Sequence, residues 1–339
     1  MLEQHEVAAY LLQRRLVGRR SLVAGELRIS DVSSRNRNFR VSGGPGESYL
    51  LKQGLAADSA HSLRNEVALY RRLNSAGAAP ARCVPALHGY DRARGILILE
   101  WIAGGEDLDA LHRRRRRCPP LLAAALGRAL ATFHAIAPDG EELREDAPWV
   151  LALHRPPLEA LRYFSAASVE LVRRLQGDER VGAALDELRR GWHVEALVHR
   201  DVKWANCIAH PPDGGRRTTR IRLVDWEMAG WGDPAFDVGS ALSDFAAFGL
   251  DAAPGAVRPA TAAFWHAYVR TRGLDGRDAA RLLQRSARFA GARLVQSAYE
   301  YTQETTLLSE RVARIVALAG DLLVPGRADA RALLGVGGS

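Results

Sequence analysis

Two short stretches constrain this chain more than anything else in it: His199-Arg200-Asp201-Val202-Lys203-Trp204-Ala205-Asn206 and, beyond a turn, Leu223-Val224-Asp225-Trp226-Glu227. They put Asp, Lys and Asn in one tight loop and a second Asp after a hydrophobic strand, the pattern that phosphoryl transfer from Mg-ATP requires. In that chemistry one carboxylate orients the acceptor hydroxyl and takes its proton, while an Asn and another carboxylate hold the Mg2+ ions that bridge the phosphates. Asp201 is accordingly the expected catalytic base. Lys203, two residues on, is expected to reach the departing phosphoryl group and offset its charge. Asn206 and Asp225 are the expected metal ligands, hard oxygens for a hard cation. His199 is expected to brace the loop by hydrogen bonding.

Lysine usage sharpens this reading. Among 47 Lys and Arg residues only Lys52 and Lys203 are lysines, and both stand where a kinase needs one. A lysine is a compact point charge and an arginine a planar fork, so the two are not interchangeable at a phosphate. Lys52 ends the strand-like run Tyr49-Leu50-Leu51-Lys52, suited to pairing the α and β phosphates, and Glu66 on the following helix is the expected partner that fixes it.

At 339 residues the chain is long enough for two domains, each with its own core. Hydrophobic content of 47% with 25% charged residues is that of a soluble globular protein. No long uncharged apolar stretch occurs and Glu3 and Glu6 come early, so neither a signal peptide nor a membrane span is expected, which points to the cytoplasm. Cys83, Cys118 and Cys207 are scattered and lack ligand spacing, as reduced thiols would be. The net charge of +8 favours anionic ligands and repels a polycationic acceptor at long range. No nucleic-acid motif accompanies it.

Periodicity gives a helix over about residues 4–17, then strands over Leu22–Ser30, Phe39–Ser42 and Tyr49–Gln53, the last two joined by Gly43-Gly44-Pro45-Gly46. A helix follows from about Ser62 to Leu73, with Asp58, Ser59 and Ser62 as caps, and Gly95–Trp101 reads as a buried strand. Gly104-Gly105 ends this small β-rich region. Beyond it the pattern is helical almost to the end, over Leu121–Ile136, Leu158–Leu175, Val181–Leu197, Pro259–Arg272 and Ala279–Leu318, interrupted by one hairpin turning at Pro211–Gly215 that carries the opening motif. The predicted division is residues 1–102, a nucleotide-binding lobe with an extra N-terminal helix; 103–323, a catalytic and acceptor-binding lobe; and 324–339, a flexible tail.

Leu99-Glu100-Trp101-Ile102 joins the lobes, and main-chain groups at Glu100 and Ile102 are expected to meet adenine. The loop between the first strands, Asp31 to Asn38, has no glycine where a phosphate-covering loop usually does. Either Ser33 and Ser34 amides with Asn36 and the guanidinium groups of Arg35 and Arg37 contact phosphate in its place, or the segment is a polar hairpin turn.

These residues resemble the aminoglycoside phosphotransferase and choline kinase family from about Leu22 to Leu318, most specifically from His199 to Asp237. The resemblance implies an α+β, bilobal protein-kinase-like fold, with a small antiparallel-sheet N-lobe carrying one helix and a larger, mainly helical C-lobe. Gly232-Asp233-Pro234-Ala235-Phe236-Asp237 is similar to the family's segment after the metal-binding Asp. By that likeness Asp237 starts a helix and hydrogen-bonds the catalytic loop, and His134 is structural. Two features depart from the pattern. Arg200 stands where family members usually have Gly or Asn, and Lys203 makes the loop closer to that of Ser/Thr protein kinases. Yet only eleven residues separate Asp225 from Asp237, too few for a long activation segment. This mixture is similar to kinases of class V lanthipeptide and thioamitide biosynthesis, which implies phosphorylation of Ser/Thr in an acidic precursor peptide and a separate partner lyase that eliminates the phosphate.

Arg113 to Arg117, after Glu106, Asp107 and Asp109, suit either the end of a short solvated helix or a docking patch for an acidic leader peptide. Arg293, Gln296 and Glu300 share one face of a late helix and either line the acceptor pocket or form a polar outer stripe. The sequence thus predicts a Mg-ATP-dependent kinase acting on an alcohol. The leading acceptor is Ser/Thr of a ribosomally made peptide; the alternatives are a small alcohol such as an antibiotic or amino alcohol, and a pseudokinase that binds without transfer.

Overall fold

A computed structural model describes residues 2–33, 37–54, 57–139, 143–210 and 219–336, with only the backbone for residues 57–61. In chain order the elements up to Gly104-Gly105 are helices α1 (Val7–Gln13) and α2 (Arg19–Val23), strands β1 (Arg28–Asp31), β2 (Arg37–Ser42) and β3 (Ser48–Gln53), helices α3 (Ala57–Ser75) and α4 (Ala78–Ala81), and strands β4 (Leu87–Asp91) and β5 (Ile96–Glu100). Then follow β6 (Glu106–Asp107), helices α5 (Leu108–Arg115), α6 (Pro120–Phe133), α7 (Leu158–Leu161), α8 (Ala166–Gln176) and α9 (Glu179–Arg190), and strands β7 (Ala196–Val198), β8 (Cys207–His210), β9 (Arg220–Leu223) and β10 (Gly230–Gly232). The chain closes with α10 (Pro234–Gly249), α11 (Arg258–Arg272), α12 (Gly276–Thr302), α13 (Glu310–Leu323) and α14 (Ala330–Leu334). A small antiparallel-sheet region followed by a larger helical one bears out the predicted fold class.

Two compact units result, Met1–Asp107 with Cys207–Ala229, and Leu108–Asn206 with Gly230–Ser339. In the first, a five-stranded antiparallel sheet runs β1-β2-β3-β5-β4. Gly46, at φ +82°, allows the chain to reverse between β2 and β3, and the Gly43 N–H closes the turn on Glu47 O at 2.7 Å. Ile96 to Leu99 are all buried, an unbroken apolar run that reflects a sheet covered on both faces. Ile96 and Ile98 pack with Phe39, Val41 and Leu51 against Val7, Tyr10 and Leu11 of α1. By strand alternation Lys52, opposite Leu97 in the ladder, belongs to the other face, with α3. The segment Cys207–Ala229, which the sequence reading placed in the second lobe, belongs here because β8 pairs with β6 and β9, and Leu223 N–H donates to Cys83 O at 2.8 Å.

The second unit is built on helix pairs, α6 against α11 and α10 against α12, with α13 on α12. Asp233 caps α10 by accepting the Ala235 N–H at 2.9 Å, and Pro234 takes the first helical position, where no N–H is needed. Gly239 lets α10 approach α12 closely: a Cβ there would lie 2.5 Å from Ser286 O. Strands β7 and β10 form a two-stranded ladder that leads into and follows the motif region.

Several expected boundaries moved. Leu22 lies in a helix, and the first strand starts only at Arg28. Helix α3 begins at Ala57, so Ser62 is internal rather than a cap, and its hydroxyl donates to Glu227 Oε2 at 3.3 Å. The Val181–Leu197 helix stops at Arg190 before Gly191 and gives way to β7, whose Ala196 to Val198 are buried. The long final helix is two, since Ser309 starts α13 by accepting the Val312 N–H. Residues expected as a tail carry α14, anchored by buried Leu334. The predicted turn at 211–215 lies outside the described residues.

Candidate active site

In the first unit, Lys52 is the centre of an ion triad in which Lys52 and Glu66 are buried and Asp225 is partly exposed. Its Nζ lies 2.9 and 3.2 Å from the Glu66 oxygens and 2.8 Å from Asp225 Oδ1. Burial works against the charge of Lys52, but the Glu66 and Asp225 carboxylates outweigh it and raise the pKa of the amine, so it is held as a cation. Strand β3 delivers the lysine, helix α3 the glutamate, and the turn after β9 the aspartate. Asp225 itself sits at φ +67°, ψ +62°, a left-handed conformation that turns the chain sharply after the strand.

Elsewhere in this unit, Glu100 is engaged by Arg222 at 2.5 Å and by the Ala86 N–H at 3.0 Å, so its side chain fixes the strand end. The Gly105 N–H donates to Ile102 O. Ser33 and Arg37, expected at the phosphates, have protein partners: the Ser33 N–H donates to Asp31 Oδ1 at 2.9 Å, its hydroxyl accepts the Asn38 N–H, and Arg37 pairs with Glu3 at 2.5 Å over Phe39. Local closure of the β1–β2 hairpin takes these donors first. Ser34, Arg35 and Asn36 lie outside the described residues.

In the second unit the loop after β7 is organised by Asp237, which is 1% exposed. Asp237 accepts the N–H groups of His199 at 2.6 Å and Arg200 at 2.9 Å, and His134 Nε2 lies 3.2 Å away. Burial would raise its pKa, but the hydrogen bond and charge of His134, with those of His199, prevail and hold it below the usual carboxylate range. His134 is fixed in turn by the Tyr268 hydroxyl at 2.8 Å. Arg200 has φ +67°, which explains why Gly or Asn suits this position. Its side chain is anchored on Asp146 O and over the Trp192 ring. His199 Nδ1 accepts the Asp201 N–H at 3.3 Å and so sets the direction of the next residue.

Asp201 is held on both oxygens. Lys203 Nζ donates to Oδ2 at 2.7 Å, Asn206 Nδ2 to the same oxygen at 3.0 Å, and Arg293 Nη2 to Oδ1 at 3.0 Å. Asn206 Nδ2 also donates to Asp201 O at 3.0 Å, which leaves its carbonyl Oδ1 as the atom able to meet a cation. The Asn206 carbonyl in this unit and the Asp225 carboxylate in the other are each a hard oxygen donor of the kind Mg2+ takes. Among the described residues no group of three or more His, Cys, Asp or Glu could hold a metal ion.

A cavity of about 760 Å³ opens beside this loop, lined by Lys203, Trp204, Asp244, Arg293, Glu300 and Tyr301 among others. Arg293 is only 2% exposed, so it belongs to no outer polar stripe. Gln296 Nε2 donates to Glu300 Oε1 at 3.0 Å. Asp244 was not singled out in the sequence: it accepts the Trp204 N–H at 2.7 Å, and burial pushes its carboxyl up to about 7 against the opposing charge of Arg293. Its only signal is the α10 spacing Asp237 to Asp244, two turns apart on one face. His112, which heads the arginine run, is buried against Trp204 at 4.2 Å, whereas Arg113 and Arg116 reach the cavity wall.

A Lys–Glu–Asp triad on a sheet-and-helix unit, and an Asp–Lys–Asn loop on a helical unit, define a kinase-like phosphotransferase. The family model described as the phosphotransferase enzyme family matches residues 28–283. The chain belongs to that family, and the kinase expected from its catalytic run is borne out. Among solved structures it is similar to a choline/ethanolamine kinase family protein from Mesorhizobium loti, at 17% identity and TM-score 0.56, covering 96% of this chain and 98% of that one. It is also similar to LicA, the choline kinase from Streptococcus pneumoniae, in complex with AMP (13%, TM-score 0.53, 94% and 97%) and to APH(2″)-IIa in complex with gentamicin (16%, TM-score 0.53, 98% and 99%). At these identities the likeness is one of fold. No curated protein matches the sequence. Among the described residues no helix is long and apolar enough to cross a membrane.

Proposed function

We propose that the protein transfers the γ-phosphoryl group of Mg-ATP to an alcohol hydroxyl, with Asp201 as the base. The observation that carries this is the three-point grip of Lys203, Asn206 and Arg293 on the Asp201 carboxylate, two of whose holders, Lys203 and Arg293, line a cavity large enough for an acceptor. Asp201 takes the hydroxyl proton as the acceptor oxygen bonds to the γ-phosphorus and the bond to the ADP oxygen breaks. Lys203 offsets negative charge on the phosphoryl group in flight. Lys52, locked by Glu66, serves the α and β phosphates, with adenine at the main chain of Glu100 and Ile102. Asn206 and Asp225 would hold Mg2+, which when bound would supply positive charge to offset that of the phosphates.

The leading acceptor is a Ser or Thr side chain in an acidic precursor peptide, as a prelude to elimination by a partner lyase, in the cytoplasm. Lys203 in the catalytic loop and the net charge of +8 favour it. A small alcohol is the second reading, favoured by the short Asp225–Asp237 interval, which leaves no platform for an extended substrate. ADP release, with mass spectrometry of candidate peptides and amino alcohols for an added phosphate, tests both. Asp201→Ala and Asp225→Ala are expected to abolish transfer while leaving the chain folded; turnover retained in both variants removes the reading, and ATP binding with no turnover on any acceptor makes the protein a pseudokinase.

A further inference from the structure

Arg293 has a second arm that the chemistry above does not use. Its Nη2 holds Asp201, but its Nη1 is buried with no hydrogen-bond partner. Glu300 Oε1 stands 3.6 Å from Nη1, beyond hydrogen-bond reach, and already accepts from Gln296 Nε2. A guanidinium cannot lose its proton to relieve this, so the open donor calls for an anionic oxygen from the cavity that Arg293 lines.

The remaining charges on the wall point the same way. Asp109 is paired with Arg113 at 2.9 Å, Asp251 with Arg311 at 2.9 Å, and Asp244 accepts the Trp204 N–H. An ammonium group entering here therefore meets acids that already have partners, and Glu300 faces Arg293 itself. Arg116, exposed on the same wall, has no carboxylate partner among the described residues.

We propose that Arg293 works with both arms: Nη2 positions Asp201, and Nη1 anchors a carboxylate that the acceptor carries beside its reactive hydroxyl. This rests on the reading of Asp201 as the base. The carboxylate has two possible sources, an acidic residue next to Ser or Thr in a peptide, or the acid group of a small hydroxy acid. Glu300, with Oε1 3.6 Å from Nη1, is the carboxylate of this chain that would compete with it.

Equilibrium binding to the full chain, with Mg2+ and a non-hydrolysable ATP analogue, tests this without turnover. The probes are a capped Asp-Ser peptide against its Asn-Ser counterpart, N-acetylserine against N-acetylserinamide, and choline as the amine. In at least one pair the acid is expected to bind about tenfold or more tightly. The peptide pair alone responding identifies a peptide source, the small pair alone a hydroxy acid. Glu300→Gln, at an exposed position, should widen the preference severalfold by removing the competing carboxylate. Arg293→Lys, which keeps a cation for Asp201, should reduce the preference to near unity; if that variant does not fold, Glu300→Gln decides. Equal binding within both pairs, no detectable binding of either acid, or choline binding that weakens in Glu300→Gln overturns the proposal. Phosphoryl transfer to the same probes is measured separately. Transfer without acid preference removes the anchor and leaves the kinase reading intact, whereas acid preference without transfer to any alcohol removes the kinase reading alone.

Discussion

Replacing Asp237 by Asn probes how the catalytic loop is held. The native carboxylate accepts two backbone N–H groups on separate oxygens, at 2.6 Å from His199 and 2.9 Å from Arg200, inside a site 1% exposed. An Asn amide has one acceptor oxygen, so its NH2 must face one of those N–H groups. One charge-assisted hydrogen bond is lost, about 1.5–3 kcal/mol, and a buried donor is left unsatisfied, about 1–3 kcal/mol more. The expected destabilisation of the second unit is therefore about 2.5–6 kcal/mol by urea unfolding. Because Arg200 occupies the left-handed region only while its N–H is held, the loop should relax and displace Asp201, and an error of about 1 Å in placement costs about a hundredfold in kcat. The pH dependence supplies a sign check. A carboxyl whose folded pKa is depressed stabilises fully above its unfolded value, about 4, and loses that contribution as pH falls through the folded pKa. The gap between wild type and variant should thus close below pH 4. An Asp237→Asn protein with wild-type stability and kcat at pH 7 would refute the reasoning.

Three further outcomes are expected. Lys52→Met leaves Glu66 buried without its cation and should destabilise the first unit by about 3–5 kcal/mol in urea melts, with Lys52→Met/Glu66→Gln recovering much of the loss; an additive double variant would exclude the coupling. Gly239→Val should cost about 1–3 kcal/mol or more and lower kcat, because α12 must shift and takes Arg293 with it; unchanged kinetics would show that the close approach does not position Arg293. Asp244, with its folded pKa pushed up to about 7, binds more protons folded than unfolded between about pH 4 and 7, so stability should fall as pH rises across that window. Asp244→Asn should remove that slope, as followed by urea midpoints at pH 5, 6 and 7.

Much of the candidate site was legible because its members are close in sequence. Asp201, Lys203 and Asn206 bond to one another within five residues, so their spacing alone carries the geometry. The helix Leu121–Ile136 and the β2–β3 hairpin were likewise readable, one from apolar spacing and the other from four residues of turn chemistry. Capping signals that compete along a long apolar stretch were not readable, as where Ser309 divides the last predicted helix in two. Asp244 escaped because its partner, the Trp204 N–H, is 40 residues away, and no local pattern marks an acid on an apolar helix as a cap for a distant loop.

The sequence by itself determined the family and the alternation of a sheet region with a helical one, and marked the candidate reacting set, since each follows from residue type at short spacing. Only the tertiary structure decided that Arg293, 92 residues from Asp201, grips it with one arm and leaves the other without a hydrogen bond. That arrangement depends on α10 and α12 meeting at Gly239, and the packing distance between two helices is set by the side chains of both, which no single stretch of chain records.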